Sequence, residues 1–334
     1  MRPERWITMK RFMKSLGNYA IMFLIPMGLF AIMLLCFPEI TFANVPSLFK
    51  QALFPTVLSC GLMFNFACGN WDLAIGSEAV LAAILAGRFS LEMGWGLPGI
   101  ILGSIIVGAL CGSVTGIVYY LTGVPTIIVT VGLLFVYECL GALISGGAGI
   151  NISSTKYVVL GTYPWNILYG LGAMFLAYFL LYRTKFGYQV RAVGNDANIA
   201  LTNGIKAAKM KALCLVVSGA FAGMYAAASL CSTGITAATT QMGTMSTAFD
   251  AMMSYLVGKA ISFQKNNLVI SMFAGALVMQ DVKLLLLVAG IPTAYVNACI
   301  AVMILVLMAL TSNPQIWRRV RKKSVRHAAG ETDK

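Results

Sequence analysis

Charge is what this chain has least of: 10% of its 334 residues are Asp, Glu, Lys or Arg, against about 25% in soluble domains. That shortage excludes an ordinary water-facing surface. Histidine is nearly missing, with His327 alone in a basic tail. A histidine-based zinc site or a Ser–His–Asp triad therefore has no histidine within the apolar part of the chain. No G-x-x-x-x-G-K-[ST] run occurs, which excludes ATP hydrolysis by a P-loop. The eight cysteines form no C-x-x-C pair and sit in or beside apolar segments, as small buried hydrophobes do. The chain is accordingly expected to hold no catalytic residue, no metal and no cofactor.

Acids are scarcer than bases, 11 against 24, for a formal net charge of +13. The excess is clustered in residues 2–14, 183–211 and 318–334. Lys and Arg resist translocation, so such clusters mark cytoplasmic segments rather than a nucleic-acid surface.

What the chain does have is hydrophobicity, 59% of its residues. Apolar runs of about 20 residues recur along it, the length that spans a bilayer. The alternating ~10-residue segments of a β-barrel do not occur. The windows fall near 19–38, 50–68, 74–92, 97–120, 126–146, 162–182, 207–231, 247–262, 267–289 and 293–312. The fold expected is all-α and polytopic, with about ten transmembrane helices. It divides into a cytoplasmic basic N-terminus (1–18), a transmembrane domain (19–312) and a cytoplasmic basic tail (313–334). An even count puts both termini in the cytoplasm, the loop 183–206 inside and the polar segment 145–156 outside. The first window lacks small residues around Cys36 for cleavage, so it reads as a retained helix rather than a signal peptide.

Small residues recur in "GSIIVGALCGSVTG" (103–116) and "SGAFAGMYAAAS" (218–229). Helices in lipid associate by close backbone approach, so these stripes predict packing faces. In the loop, Asn195 or Asp196 offers an N-cap, followed by Ala197, Ile199, Ala200 and Leu201, with Gly204 as the stop. That pattern predicts a two-turn amphipathic helix suited to a groove on a soluble partner.

"GNWDLAIGS" (69–77) places Asp72, and then Glu78, inside an apolar stretch. An intramembrane acid costs about 2.5–3.5 kcal/mol unless paired, hydrated or capping a broken helix. Two readings stay open. Asp72 caps a discontinuous helix that starts there, or it faces solute with Asn70 and Trp71 beside it. Glu138, Asp250 and Asp281 are further acids at apolar positions, and Asp281, with Lys283 two residues on, reads as an interfacial cluster near a helix end.

"TKFGYQVRAVGNDANIALTNGI", with "GNWDLAIGS" upstream and "GALCGSVTGIVYYLTGVPTIIVTVG" (108–132) between, resembles ribose-type ABC importer permeases. That family handles monosaccharides and autoinducer-2 and, more distantly, nucleosides and branched-chain amino acids. The likeness runs from about Phe37 to Thr311. It implies two related halves in a cell-membrane permease subunit with no enzymatic activity of its own. The implied partners are an ABC ATPase subunit, an extracytoplasmic solute-binding protein and a second permease. It makes Asn195, Asp196, Ala197, Ile199, Ala200, Leu201 and Gly204 the ATPase-coupling segment. It places Asn70, Trp71, Asp72, Glu78 and Asp250 along a path for a small polar, sugar-like solute. The family's glycine-rich turn after the eighth segment is replaced here by "VGKAISFQKNN". That departure at 258–266 points to a subunit working beside an unlike permease. The other readings are a cation- or proton-coupled secondary transporter and a transport-inactive partner subunit.

Overall fold

A computed structural model describes residues 22–38, 40–153, 156–262 and 267–312. The basic N-terminus, the tail with His327, and residues 263–266 of the altered turn lie outside the described residues.

Each apolar window carries a helix. These are α1 (Met22–Cys36), α2 (Val45–Ala67), α3 (Ile75–Met93), α4 (Gly96–Thr122), α5 (Thr126–Ser145) and α6 (Trp165–Arg183). Two short helices follow, α7 (Lys185–Asn195) and α8 (Ala197–Thr202). Then come α9 (Ala207–Thr233), α10 (Met245–Ile261), α11 (Leu268–Val288) and α12 (Thr293–Ser312). Among the described residues six helices are long and apolar enough to cross a membrane: α2 with the 3-10 turn before it, α4, α5, α6, α9 and α11. Of the other helices, α3 carries Glu78, Arg88 and Glu92, and α10 is 17 residues long. The architecture is an all-α polytopic membrane protein.

The chain divides into two compact units, residues 1–282 and 283–334. The second holds the end of α11 and α12. In the first, the most extensive contact is α4 with α9, and the two predicted stripes make it. A Cβ on Gly108 would collide with the Gly219 carbonyl and the Gly223 backbone, and one on Gly219 with the backbone of Gly108 and Gly112. Glycine here permits backbone-to-backbone packing that no side chain allows. Gly61 brings α2 against Ser218 and Phe221 of α9 in the same way.

Two further ties shape the unit. The 145–156 segment pairs with the chain after α9 through β1 (Ile150–Asn151) and β2 (Ile235–Thr236), antiparallel. Glu138 of α5, buried, accepts hydrogen bonds from Met242 N (2.9 Å), Thr244 N (2.9 Å) and Thr244 Oγ1 (2.6 Å). Its carboxylate holds the lead into α10, where Gln241 and Met242 take positive φ of 60° and 63°. Non-glycine residues rarely adopt that conformation without support. Asp281 corrects an expectation: it is buried within α11 rather than set at an interfacial helix end.

Gly219→Leu forces a side chain into backbone and is expected to cost on the order of 3 kcal/mol or more. Gly172→Leu, with nothing within 4 Å of its Cβ position, should cost little. Thermal unfolding of the two variants in detergent checks this; equal stability would remove the α4–α9 account.

Candidate functional site

α2 ends at Ala67 and α3 begins at Ile75, so residues 68–74 form a non-helical link. Gly69, at φ 75°, starts it with the left-handed turn that glycine tolerates. Asp72 lies in this link and is fully buried. Its Oδ2 accepts from Asn65 Nδ2 and Ser218 Oγ, both at 2.9 Å, and its Oδ1 from Ala74 N at 3.1 Å. One carboxylate thereby joins the last turns of α2, the middle of α9 and the entry to α3. Ser218 stands roughly 16 Å along a helix about 40 Å long at 1.5 Å per residue, so the link lies within the depth of the longest spans. Irregular backbone at that depth survives only when enclosed by protein or lining a cavity, and here residues 70 and 72–74 are buried, with Trp71 half-buried and Gly69 exposed.

The geometry adjusts the expected cap. The regular helix starts three residues after Asp72, whose carboxylate bonds the backbone amides of Ala74 and Ile75 in the turn that leads into it. Asn70, also buried, donates from Nδ2 to Lys211 O (3.0 Å) near the start of α9. Trp71 is half-buried; its N–H donates to Thr126 Oγ1 (3.2 Å) and its carbonyl accepts from Thr130 Oγ1 (3.3 Å), both on α5. Its ring meets Phe66 edge-on at 5.2 Å, and Phe66 stacks on Tyr255 at 4.6 Å. Glu78, buried in the first turn of α3, accepts from Thr115 Oγ1 at 2.8 Å, and Tyr137 Oη donates to Cys111 O at 2.8 Å beside it. The four residues Asn70, Trp71, Asp72 and Glu78 are therefore gathered where α2, α3, α4, α5 and α9 meet.

Asp250 is placed apart from them. It lines a cavity of about 200 Å³ with Gln51, Phe54, Tyr225, Thr247 and Gln280. Gln280 is buried and donates to the Gln51 carbonyl at 3.4 Å. These neighbours, two amides, a hydroxyl and two aromatics, were not singled out from the sequence, since they come from four helices.

The loop segment forms a third locus. Asn195 ends α7, and Asp196 is the N-cap of α8, its Oδ1 accepting from Asn198 N (2.8 Å) and Ile199 N (3.2 Å). Ala197 opens α8, and Gly204, at φ 78°, turns the chain out of it. Ala200 is buried, while Ile199 and Leu201 are 62% and 60% exposed. α7 itself went unpredicted, yet Phe186, Val190 and Val193 stand at helical spacing and face inward. It is fastened to the link: a Cβ on Gly194 would strike the Ala67 carbonyl, and Cys68 Sγ donates to Val190 O at 3.6 Å.

Against this geometry, the sequence model of the family described as branched-chain amino acid transport system / permease component matches residues 47–308. The chain belongs to that family. Curated relatives include the D-allose transport system permease protein of Escherichia coli K12, 22% identical over 81% of this chain and 84% of its own length. The L-arabinose ABC transporter permease protein of Azospirillum brasilense is 27% identical over 58% of this chain and 59% of its length. An autoinducer 2 import system permease protein of Enterobacter sp. strain 638 is 27% identical over 60% of each chain. The chain thus spans about three fifths of the last two. No solved structure matches it. In this permease the matched region contains the link, the Asp250 cavity and α8 together.

Asp72→Ala leaves the donors of Asn65, Ser218 and Ala74 facing an apolar gap, a loss on the order of 1–3 kcal/mol for each buried group stranded. Asp72→Asn keeps an acceptor, and the Asn65 amide can reverse to meet it. Thermal unfolding should therefore show Asp72→Ala strongly destabilised and Asp72→Asn mildly so; an Asp72→Ala protein as stable as the parent would contradict the pin.

Proposed function

We propose that this permease is the membrane subunit of a binding-protein-dependent ABC importer, with ATP hydrolysed on a separate subunit. The observation that carries the reading is α8. A two-turn helix, capped by Asp196 and ended at Gly204, turns Ala200 inward and holds two large apolar side chains out. Ile199 and Leu201 gain nothing from water; a hydrophobic groove on a soluble ATPase is the kind of surface that buries such a face. In this reading α8 lies on the cytoplasmic side, both termini lie there too, and the chain resides in the cell membrane.

The solute is a small polar compound of monosaccharide or sugar-like kind. Relatives named for allose and arabinose transport support that class. So does the composition of the Asp250 cavity, where amides, a hydroxyl and a carboxylate meet the rings of Phe54 and Tyr225. Pockets of this kind use a few placed polar groups for orientation and apolar walls for fit. An extracytoplasmic binding protein delivers the solute, and a second, unlike permease completes the path. Lys259, standing where the resembled family carries glycine, is the sequence feature behind that asymmetry.

Replacing Ile199 and Leu201 together with Asp should abolish co-purification with the ATPase subunit while leaving membrane insertion intact, because it puts unpaired charge into an apolar groove. Normal co-purification of the inserted double variant would remove the coupling assignment.

A further inference from the structure

A cavity of about 600 Å³ lies between the end of α2, α7 and the end of α10, and the reading above makes no use of it. Phe66 and Ala67 form one wall, Tyr188, Arg191 and Asn195 come from α7, and Lys259 comes from α10. Two cations from elements far apart in sequence thus face one space. Each has an aromatic ring behind it: the Arg191 guanidinium sits 5.3 Å from the Tyr182 centroid and the Lys259 ammonium 5.9 Å from that of Tyr255. Ring faces hold a cation in place without neutralising it. Arg191 Nε donates to the Gly187 carbonyl at 3.3 Å, and a guanidinium has four further N–H groups to offer. None of the residues lining the cavity is acidic, and the ion pair among the described residues, Arg88–Glu92, involves neither cation. Like charges facing one cavity repel until an anion comes between them.

The surroundings indicate where that anion comes from. α7 buries Gly187, Val190 and Val193 and exposes Lys185, Tyr188, Arg191 and Asn195. A short helix with a basic outer face and an apolar inner one suits the plane between membrane and water. Tyr188 is 67% exposed, and tyrosine is enriched at headgroup level. The wall of Phe66 and Ala67 is the end of a membrane-spanning helix, and Ile199 and Leu201 of α8 do not line the cavity. Basic pockets between transmembrane helices suit anionic lipid headgroups.

We propose that the Arg191–Lys259 cavity binds a phosphate group, supplied by the headgroup of an anionic membrane lipid. Arg191 and Lys259 pair with the phosphate oxygens from two sides, the Asn195 amide donates to it, and the acyl chains run past Phe66. The altered sequence after Gly258 thereby acquires a function: its lysine completes a lipid site that glycine does not.

The test uses the full chain purified in neutral detergent, with thermal unfolding followed as phosphatidylglycerol, phosphatidylcholine or inorganic phosphate is added. Phosphatidylglycerol should raise the unfolding temperature, phosphatidylcholine should not, and native mass spectrometry should find retained anionic lipid. Arg191→Gln with Lys259→Gln, both at exposed positions, should shift the phosphatidylglycerol midpoint on the order of thirtyfold, the worth of two basic side chains at an anionic surface. If inorganic phosphate alone gives the whole response and lipid adds nothing, the phosphate site stands and the lipid source falls. An equal response of parent and double variant to phosphatidylglycerol overturns the site. So does a double variant that keeps its lipid response but no longer co-purifies with the ATPase, since the cations then face protein.

Discussion

A single carboxylate sets the terms for the centre of this permease. Asp72 is buried where burial of a charge costs several kcal/mol, and it is kept there by three donors from three elements. Asn65 belongs to α2, Ser218 to α9, and Ala74 to the entry of α3. The break between α2 and α3 depends on that convergence, because a non-helical link within the membrane leaves amides that lipid cannot satisfy. The glycine contacts of α4 with α9, and of α2 with α9 at Gly61, bring Ser218 and Asn65 close enough to meet the carboxylate. Pin and packing support one another: the stripes place the donors, and the acid fixes the link.

The same link reaches the loop that carries α8. Cys68 and Ala67 touch α7 at Val190 and Gly194, and Asn70 bonds the backbone of α9 at Lys211. α8 follows α7 directly at Asp196 and leads into α9 through Gly204. Its outward face is therefore mounted between α7, which touches Ala67 and Cys68, and α9, whose middle carries the Asp72 partner Ser218. Glu138 makes a comparable fastening between α5 and the lead into α10, the helix that carries Asp250.

Much of this was legible in the sequence, for identifiable reasons. Twenty-residue apolar windows have few interpretations in so uncharged a chain, and each contains a helix. The glycine stripes announced the α4–α9 face because lipid gives helices little other reason to associate. Asp196 and Gly204 bracketed α8 with ordinary capping chemistry. What stayed hidden was whatever depends on distant partners. Ser218 lies 146 residues from Asp72, so nothing local marked it as the partner or moved the start of α3 to Ile75. The charges of α7 masked the spacing of Phe186, Val190 and Val193. Gln51 and Gln280 read as isolated polar residues until the fold set them beside Asp250. Asp281 looked interfacial because Lys283 follows it, yet the packing of α11 buries it.

The central claim is that this chain moves solute only when an ATPase engages α8. The most direct test is reconstitution into vesicles with the cognate ATPase, binding protein and second permease, following uptake of radiolabelled sugar. The account predicts uptake that needs ATP on the α8 side and stops when the ATPase is omitted. Uptake driven by a pH gradient through this chain without any ATPase would contradict it.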